Sequence, residues 1–469
     1  MKSFKRNSIF YCLLAPAFII VSCATYYQKN EALMQAVYRG DLESAEKLLD
    51  DNSIQKKKDI LLYYFNRGTV LWMNNKPEES NKYFRLADYY IEDYQKSIAA
   101  KAVSFITNPK VEPYPGEFFE QILLHYYTAV NYAQMGNLDE ALVEAKRMLI
   151  KMQKITDYTK GKNKYKRDAF AHNLLGIIYD AQRDYNNAFI AYRNAYEIYK
   201  DDYQLQLATP VPLQLKKDLI RTAHLSGFYD DQGKYEADFK LNYIPEDPTS
   251  GNLIFFWNNG FGPIKDEASI NFSISPAGGG WVNFINHDLG LNFPYYVGDS
   301  EQSNSLSRLK IIRVAFPRYI SRQPYYNKAI LLNDSLHISA PLEMAENVDA
   351  IAYKSLEDRM VKELSEALIR LALKQAAEEM VRKENQRLGA ALSIVNAVTE
   401  QADTRNWQLL PYSINYTRVT MPQGKHLLTL KTTGAANESD QTIFTFSIGS
   451  RQTTFGVFHS IQFKGYQVY

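Results

Sequence analysis

Residues 169–199, AFAHNLLGIIYDAQRDYNNAFIAYRNAYEIY, determine how the first half of this chain folds. Two apolar segments are joined by a short polar turn at Arg183-Asp184. In each segment the residues of one helix face recur at spacings of three and four. They are His172, Leu175, Gly176 and Tyr179 in the first segment, and Ala188, Tyr192 and Ala195 in the second. The stretch therefore predicts two antiparallel helices.

Small residues at Gly176 and Ala188 would let these helices approach closely, with Tyr179 and Tyr192 filling the space around the contact. The pattern resembles a tetratricopeptide repeat (TPR), a helix–turn–helix unit of roughly 34 residues. Arg183 stands where that family usually has glycine in the turn. An ordinary helical hairpin is the alternative, and recurrence of the pattern along the chain favours the repeat.

One helix pair cannot bury its apolar face alone, so a repeat needs neighbours. Related segments lie at 39–48, 63–90, 126–148 and 225–239. The units are unevenly spaced, with inserts at 96–116 and 160–167. We therefore predict an irregular TPR-like α-solenoid over residues 31–243.

The composition is that of an ordinary globular chain, with 469 residues, 46% hydrophobic and 23% charged, which is enough for two or three domains. The formal net charge of +2 argues against nucleic acid as the main partner. Basic runs at 56–58 and 160–167 are local and typical of solvated loops or helix ends.

The first 22 residues have the pattern of a secretory signal peptide. Lys2, Lys5 and Arg6 precede an apolar stretch at 9–21 that is too short to span a membrane. The stretch ends Ile-Val-Ser-Cys at 20–23, which resembles the lipobox of bacterial lipoproteins. A plain secretory signal with a chance cysteine is the alternative.

The lipoprotein resemblance implies that Cys23 becomes the first mature residue and carries lipid, including palmitate, that anchors the protein to a membrane. The cysteine count agrees, because Cys12, the other of the two cysteines, lies in the signal and would be removed. Residues 23–30 would form a short lipid tether. No aspartate follows Cys23, and by the same resemblance to bacterial lipoproteins this implies the outer membrane, with the protein facing the periplasm.

After a linker at 244–251, with two prolines and a glycine, the apolar period changes to two. We predict an α+β domain at 252–469, with strands in 252–340, a long helical hairpin at 342–400 and further strands in 412–469. Pro317 should end one strand, because proline cannot donate to a ladder. The strands would close into one β-sandwich-like unit carrying the hairpin, or form two separate β modules.

Three stretches, at 257–265 (WNNGFGPIK), 315–318 (AFPR) and 402–411 (ADTRNWQLLP), resemble one family. Together with the lipobox and repeats, they make the chain similar to uncharacterised bacterial lipoproteins with N-terminal TPR-like helices and a C-terminal α+β region. The Asp-Thr-Arg-x-Trp-x-x-Leu-Pro string is the most specific of these motifs. The family has no established activity, so the resemblance implies architecture rather than function.

The third motif has two interpretations. Asp403 and Arg405 would pair on a turn above Trp407 and lock the exit of the helical hairpin onto the sheet. Alternatively, the two residues would bind a carboxylate or sugar ligand. The Arg405 guanidinium would donate two parallel hydrogen bonds to it, and the Trp407 ring would be a platform on which it stacks. Trp257 and Lys265 are further candidates for that ligand site, against a turn with an exposed lysine.

The sequence contains no motif for catalysis or for a cofactor. The seven histidines are scattered without zinc-site spacing, and phosphate-binding glycine loops and a nucleophile elbow are absent. We therefore predict that the protein is not an enzyme and binds no cofactor. Such motifs do not describe a metal site or a carboxylate pair that is assembled from residues far apart in the sequence.

Two functions remain. The first is a non-catalytic scaffold for envelope assembly or cell-wall maintenance, which binds an envelope protein or peptide on the TPR face, where Tyr132 and Tyr179 are candidate contacts. The second is a binder of cell-wall glycan or peptide, or a weak hydrolase, acting through the α+β domain.

Overall fold

The computed structural model describes residues 26, 30–50, 57–100, 112–158, 167–296, 311–384 and 401–468. Side chains are described except at 96–100, 158, 372–373, 375–384 and 463–468. The signal, Cys23 and the predicted second helix at 390–399 lie outside these ranges.

The first half of the chain consists of antiparallel helix pairs. The helices are α1 (Glu31–Tyr38), α2 (Leu42–Asp50), α3 (Ile60–Met73), α4 (Pro77–Ala100), α5 (Phe118–Gln134), α6 (Leu138–Tyr158), α7 (Ala169–Ala181), α8 (Tyr185–Ile198), α9 (Leu213–Leu225) and α10 (Tyr229–Phe239). A 3-10 turn (Lys57–Asp59) precedes α3, and a π-helical turn (Tyr199–Tyr203) and a helical turn (Gln204–Gln206) follow α8. Each odd-numbered helix packs against the next helix, which confirms a TPR-like helical array.

The same backbone turn joins the two helices of every pair. A residue with positive φ lies at the same distance after the end of each first helix: Gly40 (72°), Asn75 (54°), Gly136 (80°), Arg183 (63°) and Gly227 (76°). Only glycine adopts this conformation without strain. Arg183 therefore takes the backbone conformation of the glycine that it replaces in the pattern.

The close helix contact predicted from Gly176 is present. A Cβ atom on Gly176 would lie 2.4 Å from the ring of Tyr192, and one on Gly68 would lie 2.6 Å from Phe84 in the α3–α4 pair. A larger residue at either glycine would therefore clash with the aromatic ring on the second helix of its pair.

The second half contains three sheets and a long helix. The strands are β1 (Ser250–Asn259), β2 (Ile264–Gly278), β3 (Trp281–Asn286), β4 (Leu291–Tyr296), β5 (Ile311–Pro324), β6 (Tyr326–Asn333), β7 (Ile338–Pro341), β8 (Glu343–Asn347), β9 (Ser413–Pro422), β10 (Gly424–Gly434), β11 (Ser439–Ile448), β12 (Thr453–Ser460) and β13 (Phe463–Val468). Helix α11 spans Val348–Glu384. The sheet orders are β12-β1-β9-β8 (sheet I), β11-β10-β6-β7 (sheet II) and β13-β5-β2-β3-β4 (sheet III).

Strand β1 is central in sheet I, and both strands that pair with it come from the last part of the chain. It pairs antiparallel with β9 and parallel with β12, so that Leu253 faces both Val419 and Thr454. Along β1, Ile254 and Phe256 join the core shared with the helical array, while Leu253, Phe255 and Trp257 join the core shared with sheet II. Sheet I is therefore buried on both faces.

A β-sandwich is not confirmed. The helical array covers one face of sheet I, and sheet III packs against α11 rather than against another sheet. The apolar stripe of α11, including Leu364, Leu368 and Leu371, contacts Phe272 and Val314 of sheet III.

Three boundaries differ from the sequence prediction. The helix predicted from residue 342 begins at Val348, because 343–347 form β8 and the Asn347 side chain accepts the Ala350 N–H at 3.1 Å as a helix cap. Strand β5 continues through Pro317 to Pro324. Pro317 lies opposite Glu267 of β2 there, and the pairing of β5 with β13 begins only at Ile320. Strand β1 begins at Ser250, inside the predicted linker.

Among the described residues, no helix combines the length and the apolar character needed to cross a membrane.

Candidate functional site

The two halves of the chain meet along the first helices of the pairs, α3, α5, α7 and α9, which we call the inner face. Phe65 and Phe170 of these helices share one buried core with Phe256, Trp407 and Tyr416 from the second half. This is the face on which a solenoid usually binds its partner. Here the chain's own second half packs against these helices.

Arg405 holds the third motif on the inner face. Its Nε and Nη2 donate to the two carboxylate oxygens of Asp403 at 2.8 and 2.7 Å, which is the predicted pair. Its Nη1 donates to Asp59 Oδ1 at 3.1 Å and to the carbonyls of Lys58 and Glu112 at 3.2 and 3.0 Å. The guanidinium also lies 5.3 Å from the centre of the Tyr114 ring. Arg405 therefore locks the motif onto the helices, rather than the hairpin onto the sheet.

Trp407 is 1% exposed and belongs to the same lock. Its ring stacks on Phe65 with centroids 4.2 Å apart and an interplanar angle of 8°. Its Nε1 donates to Thr69 Oγ1 at 3.0 Å, and its backbone N donates to Glu120 Oε1 at 2.6 Å. No ring face is open to a sugar, so the platform hypothesis is wrong for this arrangement.

The first and third motifs contact each other. The Asn406 side chain donates to the carbonyl of Pro263 at 2.8 Å and accepts the Lys265 N–H at 3.2 Å. Gly262 N donates to the Leu410 carbonyl at 2.7 Å. In the second motif, Arg318 pairs with Asp266 at 3.0 Å. The three sequence motifs that carry the family resemblance thus lie next to one another in the folded chain.

Lys265 was expected either on the surface or at a ligand, and it is buried in an ion-pair cluster. Its Nζ donates to Glu117 Oε1, and Arg359 of α11 donates to Glu117 Oε2 at 2.5 Å. Burial alone would raise the pKa of Glu117, but Arg359 and Lys265 outweigh it and lower the pKa to about 2. Glu117 is therefore a permanent anion that joins α5 to β2 and α11.

The neighbouring Glu120 is in a different state. Burial and the negative charge of Glu117 raise its pKa to about 7. Two carboxyl groups with separated pKa values are a frequent acid–base arrangement in enzymes. Here Glu120 accepts from Trp407 N on one oxygen and from Tyr114 Oη and Glu117 N on the other, and it is fully buried. The pair is enclosed by protein and is a structural element in this arrangement.

Trp257 also lies in the interior, with 1% exposure. Its Nε1 donates to Ser460 Oγ at 2.8 Å, which fastens β1 to β12. The adjacent Asn258 accepts the Tyr126 hydroxyl at 2.8 Å, which fastens β1 to α5. Trp257, Lys265, Arg405 and Trp407 are therefore buried, and the expectation that they contact a ligand is wrong for this arrangement.

A second buried ion cluster joins the halves and was missed in the sequence analysis. Arg221 of α9 and Arg418 of β9 both donate to Asp180 Oδ2 at the end of α7, the latter at 2.5 Å. Burial would raise the pKa of Asp180, but these two arginines lower it. The signal was an aspartate on the otherwise apolar segment LLGIIYDA, since a buried charge requires a partner.

Tyr132 and Tyr179 lie half-buried between successive pairs. The Tyr132 hydroxyl accepts from Arg85 of α4 at 3.1 Å, and Lys146 of α6 lies 5.4 Å from the centre of the Tyr179 ring. Each tyrosine thus contacts the second helix of the preceding pair. This places them near the opposite face of the array, formed by α4, α6 and α8, which we call the outer face.

The described side chains contain no group of three or more His, Cys, Asp or Glu residues arranged to hold a metal ion.

Comparison with known proteins finds solved structures of TPR-like helical repeats that are similar to the N-terminal half of the chain. No protein-family model matches the chain, and no curated protein matches it. Among solved structures, MamA is similar over 46% of this chain and 96% of its own, with 12% identity and a TM-score of 0.29. RapI without ligand is similar over 49% of this chain and 58% of its own, with 15% identity and a TM-score of 0.34. A structure of TPR-like repeats, described as a kinesin light chain of Podosopora anserina, is similar over 45% of this chain and 91% of its own, with 14% identity and a TM-score of 0.30. Similarity at this level transfers no partner or activity.

Replacing Arg405 with lysine should weaken the lock although the charge is kept. Lysine cannot bind Asp403 with two parallel bonds while also donating to Asp59 and the two carbonyls. We expect Arg405→Lys to lower the free energy of unfolding by about 3 kcal/mol, as for a broken buried ion pair. Urea unfolding measures this.

The matched control is Arg313→Lys, the same change at an exposed position of β5, where we expect less than about 0.5 kcal/mol. Equal losses in the two variants would contradict the role of Arg405.

Glu120 should make stability depend on pH. Because its folded pKa of about 7 lies above the ordinary glutamate value, the folded state binds the proton more tightly. The contribution of Glu120 to stability is therefore present in full at pH 4 and is lost as the pH rises to 7. We expect Glu120→Gln to flatten the decrease in unfolding free energy between pH 5 and 7, measured by urea unfolding across that range. The exposed Glu78→Gln is the control, and an unchanged slope in Glu120→Gln would contradict the assignment.

Proposed function

We propose that this protein is a non-catalytic scaffold. Its inner TPR-like face holds its own second half, and its outer face binds a protein partner in the bacterial envelope. The observation that carries the proposal is that the inner face is filled by residues 401–411 and sheet I, while the outer face keeps apolar side chains in solvent. These are Leu86 and Tyr89 on α4, Val143 and Ile150 on α6, and Ile190 on α8.

Two of these exposed residues occupy equivalent positions of successive pairs. Val143 and Ile190 follow the turn residues Gly136 and Arg183 at the same spacing, and Ile150 lies two helical turns beyond Val143 on the same face of α6. We infer that these equivalent positions bring the exposed apolar side chains to the same face of the array. Contiguous exposed apolar surface of this kind marks protein-interaction sites.

The envelope location rests on the sequence at 2–23. The positive start, the apolar stretch and the lipobox-like ending support export and lipidation at Cys23, with the outer membrane as the site of anchoring. The short tether at 23–30 would hold the helical array close to that membrane. The alternative function, a glycan binder or weak hydrolase in the α+β half, loses its candidate residues because they are buried.

The outer-face proposal is tested by site-specific photo-crosslinking in intact cells. We place p-benzoylphenylalanine at position 150, which is 54% exposed on α6. We expect one discrete protein adduct at position 150, because a partner bound to the outer face would lie against this side chain. The adduct should be lost when Val143→Lys adds a charge to this face.

The control carries the same crosslinker at position 443, which is 68% exposed on β11 of the other half. The same adducts at both positions, or no adduct at position 150 with the protein folded and abundant, would refute the outer-face proposal.

The anchoring proposal predicts that Cys23→Ser abolishes incorporation of radiolabelled palmitate, because that thiol would carry the acyl chain. The variant should leave the membrane fraction. Cys12→Ser changes the only other cysteine, inside the segment that would be removed, and should leave labelling intact. Retained label in Cys23→Ser would show that lipidation is wrong.

A further inference from the structure

Tyr26, three residues after the proposed lipid attachment at Cys23, is already held by the fold. Its backbone N–H donates to Thr404 Oγ1 of the third motif at 3.3 Å. Its hydroxyl accepts from the Asn66 side chain of α3 at 3.3 Å. Its carbonyl accepts from the backbone N–H and the side chain of Asn30 at 3.1 and 3.0 Å. Tyr26 is thus bonded through its amide, its side chain and its carbonyl.

The Tyr26 ring lies against the interior of the molecule. It packs on the buried core that the two halves share. Burial and the negative charge of Asp59 raise the pKa of the Tyr26 hydroxyl, so the hydroxyl stays protonated. Asp59 and Thr404 belong to the same assembly, because Arg405 follows Thr404 and donates to Asp59 Oδ1 at 3.1 Å. Tyr26 is therefore docked on the segment that Arg405 locks onto the helices.

The length of chain between Cys23 and Tyr26 limits where the membrane lies. Three residue steps span at most about 11 Å when fully extended. Acyl chains on Cys23 would insert into the bilayer and hold Cys23 at its surface. The docked Tyr26 would then lie within the same short distance of that surface. Three segments adjoin Tyr26, namely the start of α1, the 3-10 turn at 57–59 and residues 401–404.

We propose that Tyr26 docks the start of the mature chain on the third motif and so turns these three segments, the membrane-facing side, toward the lipid headgroups. This inference rests on the proposed lipidation at Cys23 and adds a fixed orientation to it. The tether is no longer than the roughly 10–12 Å diameter of one helix, so the protein cannot turn its opposite side to the membrane. The pair α9–α10 is separated from α1–α2 by three stacked pairs and lies farther from the lipid.

The test uses the lipidated protein in phosphatidylcholine vesicles that contain a lipid with a spin-labelled headgroup. Because Cys12 would be removed and Cys23 acylated, an introduced cysteine is the only free thiol and takes a nitrobenzoxadiazole fluorophore. Lys57→Cys places it on the membrane-facing side, and Lys234→Cys, the same change at an exposed position of α10, is the control. We expect several-fold stronger quenching at position 57. Equal quenching at the two positions of vesicle-bound protein would overturn the inference.

Two further changes test the docking and the tether length separately. Tyr26→Ala removes the docked ring, so quenching at position 57 should fall, whereas Tyr229→Ala, the same change at an exposed position of α10, should leave it unchanged. Inserting about ten glycine and serine residues before Tyr26 keeps the lipid and the docked ring but adds a flexible span of roughly 17 Å. Quenching at position 57 should then fall as well. Unchanged quenching after the insertion would refute the inference, even if Tyr26→Ala is poorly folded.

The anchoring proposal and this inference fail in different ways. If Cys23 is not lipidated, the protein carries no palmitate label and neither position is quenched, which would overturn both together. If Cys23 is lipidated but Tyr26 does not fix the orientation, the label is present and both positions are quenched alike, which would overturn this inference alone.

Discussion

The insertion of residues 401–411 into the inner face of the helical array is the interaction on which the rest of the structure depends. It brings a charged Arg405 and a full indole, that of Trp407, out of water together. Such burial is tolerated only when every charge finds a partner and the ring is closely packed. Asp403 and Asp59 supply the charges, and Phe65 supplies the stacking surface. Because these partners come from both halves, neither half can keep this core without the other.

This constraint changes what a TPR-like array does in this chain. In a free solenoid the groove is available to a partner, whereas here the first helices are used for intramolecular packing. The Asp180 cluster and the Glu117 cluster join the halves at two further points. In each, a carboxylate in or next to a first helix pairs with a basic residue of the second half. The second helices keep exposed apolar residues, of which Val143 and Ile190 occupy equivalent positions.

The sequence predicted the local structure well because local structure depends on short spacings. Gly176 opposite Tyr192, and the pairing of Asp403 with Arg405, are contacts between residues close in sequence. The helix start at Val348 was missed because the cap residue Asn347 ends strand β8, whose residues had been included in the predicted helix. The partners of Lys265 and Arg405 were beyond reach, since Glu117 and Asp59 lie far away in the chain and no local pattern marks them. The parallel pairing of β1 with β12 is hidden for the same reason.

The same distinction explains why the aromatic packing at the seam could not be inferred from the sequence. Trp72 contacts Tyr127 edge-on at 5.2 Å between centroids, and Tyr127 lies 5.5 Å from Trp407. A row of aromatic rings therefore runs from the end of α3 to the lock on the inner face. Because Trp407 comes from the second half and the other two rings come from the helical array, this row is part of the core that joins the halves.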